Sequence, residues 1–153
     1  MPMKFIRTFD DYENKSVPYT VNITKEGIAN VGNEFLRELK KDYDLRIGKP
    51  FNPKIGNCSW FVDEFYTWAE NNRLPVRIIY FPETEEAEDA HIAILIGELV
   101  LDFVHKQFSK DSKEKFSVLP IKAYKKYGYD ENYELYDGLP DWVTDINPLE
   151  KRS

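Results

Sequence analysis

The amino-acid sequence predicts an α+β fold in which a helix opening at Cys58 packs on an antiparallel β-sheet. Two observations carry that expectation. Apolar residues recur at helical spacing in two stretches of the first half, and short apolar runs bounded by proline or glycine dominate the second half.

Residues 1–23 read as an extended lead-in broken by Pro2 and Pro18. Thr24 then has the chemistry of an N-cap, and Ile28, Val31, Phe35 and Leu39 fall on one face of a helix reaching about Asp42, with Leu36 widening the stripe. Gly27 and Gly32 each weaken that helix by roughly 1 kcal/mol against alanine. Gly48-Lys49-Pro50 through Pro53 reads as a loop.

A second helix is expected from Asn57 to about Asn72, capped by Asn57 or Ser59. Cys58, Phe61, Phe65, Trp68 and Ala69 share one of its faces, which turns the thiol toward the interior edge of the fold. Leu74-Pro75 closes it. Val76 to Phe81 is a strand between two prolines, and an acidic loop with five carboxylates comes next, from Glu83 to Asp89.

His91 to Ile96 and Leu99 to Val104 then form a hairpin about Gly97-Glu98, a Gly-X turn of type II′. Both strands are apolar on both faces, as central strands covered by helices are. Phe116 to Ile121 and, more weakly, Tyr133 to Tyr136 complete the strands.

The turn fixes a register. Strands joined by Gly97-Glu98 pair residues whose numbers sum to 195, so Ala93 faces Asp102 and His91 faces Val104. Side chains alternate, which sets His91, Ala93 and Leu95 on one surface with Val100, Asp102 and Val104. His91 and Asp102 become diagonal neighbours about 7–8 Å apart before their side chains lean together. A slip of one residue would send Asp102 to the other face.

These residues suit thiol chemistry. Cys58 is the only cysteine, so it has no disulfide partner within the chain and points to a reducing compartment. In the first turn of a helix its thiolate meets the positive end of the macrodipole, and an imidazolium nearby favours it further. Asp102, set between Leu101 and Phe103, needs a strong partner, and His91 is the obvious one. Asp102 would fix the imidazole tautomer and leave the other ring nitrogen to face sulfur. The Cys58 backbone N–H can supply one oxyanion donor. A side-chain amide could supply a second, with Asn52 preferred and Asn57 also in place. Gln107 is a further candidate to line the site.

The net charge of −6 argues against general binding to nucleic acid or anionic membranes. No apolar run approaches the roughly 20 residues of a membrane span. The first residues lack the apolar core of a signal peptide, so the expected place of action is a cytoplasm, its own or that of a host cell. The lysine-rich stretch from Lys106 to Lys126, interleaved with Tyr124, Tyr127 and Tyr129, reads as a solvated face. So does the acidic loop. His105 has the opposite parity to Asp102 and reads as a surface residue.

The segment from Gly56 to Phe108 resembles the core of the papain-like cysteine hydrolase superfamily, particularly its transglutaminase-like and compact peptidase or deamidase branches. The matching pieces are GNCSWF, RLPVRIIYF, AHIAILIG and LVLDFVHKQF. The resemblance implies one papain-like domain over 1–153 with its catalytic core at about 50–108. It implies Cys58 as nucleophile, His91 as general base and Asp102 as orienter. The upstream oxyanion glutamine of the papain branch is absent, and Asn52 stands in its approximate place. The expected reaction is hydrolysis or acyl transfer on a peptide, isopeptide or glutamine amide through a thioester, with no cofactor and no metal. Two rivals stay open: an inactive relative that binds or assembles, and a metal-dependent hydrolase using His91, Asp102 and His105.

Overall fold

The computed structural model describes residues 21–47, 58–104 and 115–143, apart from the side chains of 42–47 and of Cys58. Within them the chain forms helix α1 (Lys25–Ile47), helix α2 (Cys58–Asn71) and strands β1 (Arg77–Phe81), β2 (His91–Ile96), β3 (Leu99–Asp102) and β4 (Ser117–Pro120). A 3-10 helix (Ile121–Tyr127), strand β5 (Glu134–Tyr136) and a short 3-10 turn (Asp141–Val143) complete the order. The expected α+β class holds, with the strands in the order β4-β3-β2-β1-β5 and every neighbouring pair antiparallel.

Thr24 starts α1 as expected, its Oγ1 accepting the Gly27 N–H at 3.0 Å. Ile28, Val31, Phe35 and Leu39 are buried, as their spacing predicts. The helix runs five residues beyond Asp42, because nothing in Tyr43–Ile47 breaks it. Gly32 has a use that helix propensity alone does not reveal. A Cβ there would sit 2.9 Å from the ring of Phe116, which packs directly on the helix backbone.

The sheet separates two cores. On one face Ile78, Ile92, Ile94, Ile96, Leu101 and Val118 pack against α1 and α2, with Phe35, Phe61 and Phe65 between them. Phe103 joins this side, stacked on Phe61 at 5.6 Å and set against Phe35 at 5.1 Å. Each such ring contributes about 1.5–3 kcal/mol by leaving water. The Trp68 indole N–H donates to Glu38 and ties α2 to α1.

On the other face Ile79, Phe81, Ala93, Leu95 and Val100 pack against Tyr124, Tyr129 and Ala87. The strand β2 is buried along its whole length, as an apolar run on both faces requires. Its second cover is not an α-helix but the 3-10 helix and the acidic loop.

The hairpin register is the expected one: Ile94 pairs with Leu101, Leu95 with Val100 and Ile96 with Leu99. Gly97 takes φ +62° while Glu98 stays at negative φ, the pattern of a Gly-X turn. The third strand ends at Asp102 rather than Val104, since Asp102 turns the chain by accepting the Val104 N–H on Oδ1 at 2.9 Å. Replacing Gly97 by alanine forces a side chain into the left-handed region and brings its Cβ within 2.5 Å of Ile23 Cγ2. Gly97→Ala is expected to lower stability by about 1–2 kcal/mol. Urea denaturation measures this, and an unchanged midpoint would contradict it.

Candidate functional site

The site lies at one end of the sheet, where β2 begins with His91 and β3 ends with Asp102. Both face the tyrosine-covered side, and both are buried, at 0% and 2% relative exposure. His91 Nε2 lies 2.6 Å from Asp102 Oδ2. The diagonal approach expected from the register is therefore closed by a direct contact.

Asp102 has two further donors. The Tyr124 hydroxyl donates to Oδ2 at 2.6 Å and the Val104 N–H to Oδ1 at 2.9 Å. Burial pushes the carboxyl up. The charge of His91, the hydrogen bonds from His91 and Tyr124 and the Val104 N–H together outweigh burial and hold it below the usual carboxylate range. An ionised carboxylate only accepts, so the proton between the two side chains sits on Nε2. In the neutral ring the basic nitrogen is then Nδ1, and base chemistry by His91 must run through it.

The sequence pattern puts Tyr124 on a solvated face, and the structure corrects this. The residue is 1% exposed, stacked on Phe81 at 4.5 Å and parallel to the His91 ring at 6.1 Å. Burial and the Asp102 charge push its hydroxyl well above the ordinary tyrosine range. Tyr129 is buried too, its hydroxyl donating to the Asp89 carbonyl at 2.6 Å. The physical reason is the period of the segment. Residues three apart eclipse in a 3-10 helix, so Ile121, Tyr124 and Tyr127 turn inward while Lys122, Lys125 and Lys126 stay in solvent. That three-residue spacing, after Pro120, is the signal from which Tyr124 could have been found.

The acidic loop is likewise more than a solvated connection. Thr84 Oγ1 donates to the Gly128 carbonyl at 2.6 Å and accepts the Ala87 N–H at 2.9 Å. The loop and the segment after the 3-10 helix are thus pinned together, with Gly128 at φ +97° where a Cβ would meet Glu86. An open cleft of about 590 Å³ runs between them, lined by Glu85, Glu86, Lys125, Asp130 and Glu131 among others.

Cys58 is the first residue of α2. Its side chain lies outside the described residues, as do Asn52, Asn57, His105 and Gln107 in full. The helix it opens covers the Ile92 and Ile94 face of the sheet, whereas His91 and Asp102 look to the other. Phe61, one turn into α2, stacks on Phe103, the residue after Asp102. The first turn of α2 therefore reaches the same end of the sheet as the His91–Asp102 pair. Among the described residues no three His, Cys, Asp or Glu side chains gather as metal ligands do, and no helix is long and apolar enough to cross a membrane.

No protein-family model, curated protein or solved structure matches this chain.

Asp102→Asn removes the charged acceptor on which the His91, Tyr124 and Val104 donors converge, and a loss of about 3 kcal/mol is expected near pH 7. The folded carboxyl titrates lower than the unfolded one. Its contribution is therefore fully present above the unfolded value of about 3.9 and disappears as pH falls through the folded value. Urea denaturation of both proteins through that acid range should show the gap closing on acidification. A gap independent of pH would contradict the assignment.

Proposed function

We propose that the protein is a cysteine-dependent hydrolase or acyl transferase with Cys58 as nucleophile, His91 as general base and Asp102 as orienter. The observation that supports this reading is the buried His91–Asp102 pair, closed at 2.6 Å. Asp102 accepts the Nε2–H hydrogen bond, and Nδ1 is the nitrogen that would receive the thiol proton.

The thiolate attacks the carbonyl carbon of a peptide, isopeptide or glutamine side-chain amide. The oxyanion is held by the Cys58 backbone N–H, free of an intrahelical partner at a helix start, and by a side-chain amide such as Asn52. The imidazolium returns its proton to the leaving amine, giving a thioester, and water or a second amine then releases the acyl group. In this scheme the chain is a papain-like domain acting in a cytoplasm on a protein or peptide. Its chemistry uses neither metal nor cofactor.

One observation favours a different reading, an inactive papain-like protein that binds or assembles. The helix bearing Cys58 covers the opposite face of the sheet from His91, so a catalytic thiol would have to reach the ring around the sheet end. Asp102 would then serve the fold alone.

Alkylation separates the two. Under the catalytic reading, Cys58 reacts with iodoacetamide near neutral pH about tenfold or more faster than an ordinary thiol, as a stabilised thiolate does. His91→Asn brings the rate down to the ordinary one. A Cys58 that is inert, or whose rate ignores His91, leaves the binding reading.

A further inference from the structure

The catalytic scheme gives no part to Tyr124, yet this residue makes the shortest kind of contact available to Asp102. Its hydroxyl and His91 Nε2 both lie 2.6 Å from the same carboxylate oxygen, Oδ2, while Val104 N–H holds the other. A tyrosine needed only to fill the second core would place its ring there and could turn its hydroxyl to solvent. This one brings it to the charged centre of the site.

We infer that Tyr124 is a positioning residue for His91, acting through Asp102 to fix the imidazole orientation and to moderate how strongly Asp102 holds the Nε2 proton. The inference deepens the catalytic reading and rests on it for its purpose, though not for its geometry.

Sharing one oxygen has two consequences. First, Asp102 is held at three points and cannot rotate, so His91 has one orientation to adopt. Second, the two donors compete for the same lone-pair density. Tyr124 draws charge from Oδ2 that would otherwise stabilise the imidazolium. The ring is thus kept a base of moderate strength rather than locked as a buried ion pair.

The phenol is rigidly supported for this task. Its ring is stacked on Phe81, Tyr127 meets it edge-on at 5.7 Å, and the segment behind it is tied to the acidic loop by Thr84 and Tyr129. Among the described residues, the groups that face the pair include Tyr124 and Tyr129 from the far cover, Phe81 opposite His91 on β1, and Ser117 opposite Asp102 on β4. Among these described neighbours no other side chain carries a full charge at neutral pH.

The test is the titration of His91 in the full chain, monitored by ¹⁵N NMR of the imidazole. Tyr124→Phe keeps the ring and removes the hydroxyl, and the His91 midpoint is expected to rise by about half to one pH unit as Asp102 acts on it undivided. Site-specific 3-fluorotyrosine at position 124 is a stronger donor that keeps the fold, and it is expected to move the midpoint the other way. A purely structural tyrosine would alter the melting temperature and leave both midpoints where they are. Unshifted midpoints in folded protein, or shifts of the same sign in both variants, overturn the inference. The readout needs no turnover. An inert Cys58 with shifted midpoints upholds the positioning role and defeats the catalytic reading, while a reactive Cys58 with fixed midpoints does the reverse.

Discussion

A carboxylate in the dry interior must be compensated, and Asp102 imposes that condition on everything around it. Isolated there, it would cost several kcal/mol or become protonated. Three donors meet the need: a ring nitrogen from β2, a phenol from the 3-10 helix and a backbone N–H from its own turn. Each donor fixes a larger piece of the fold. His91 sets where β2 begins, Val104 ends β3, and Tyr124 anchors the cover of the second sheet face.

The hairpin is the most legible part of the chain because a two-residue glycine turn leaves little choice of register. Gly97 admits positive φ, the strand period is two, and the two-residue turn selects a register that sets His91 and Asp102 on one face, where a slip of one residue would part them. The helices are legible for the same kind of reason, since Thr24, the Ile28–Leu39 stripe and Leu74-Pro75 are local signals. Tyr124 is hidden by its neighbours. Three lysines in a seven-residue segment read as solvated, and the inward residues obey a period of three that ordinary helix and strand patterns do not use. Gly32 looks like a weak point in the sequence because its partner, Phe116, lies far along the chain.

The two faces of the sheet divide the molecule's duties. The helical face carries the aromatic packing of Phe35, Phe61, Phe65 and Phe103. The tyrosine face carries the polar network, and its cover is tied down by hydrogen bonds from Thr84 and Tyr129. A catalytic centre built from Cys58 and His91 has to join these halves across the sheet end. Phe103, next to Asp102 in sequence yet packed on Phe61 and Phe65 of α2, links the two halves at that end. Such a junction would hold the reacting groups between two independently packed layers, each rigid before substrate arrives.

The proposed chemistry requires Cys58 and His91 to meet at this end of the sheet. A nuclear Overhauser measurement between the Cys58 β-protons and the His91 ring tests it directly. A cross-peak to the ring proton beside Nδ1 is expected, with sulfur and nitrogen within about 4 Å. Cross-peaks from Cys58 running only to Ile92, Ile94 or Phe61 on the helical face, with none to His91, would contradict it.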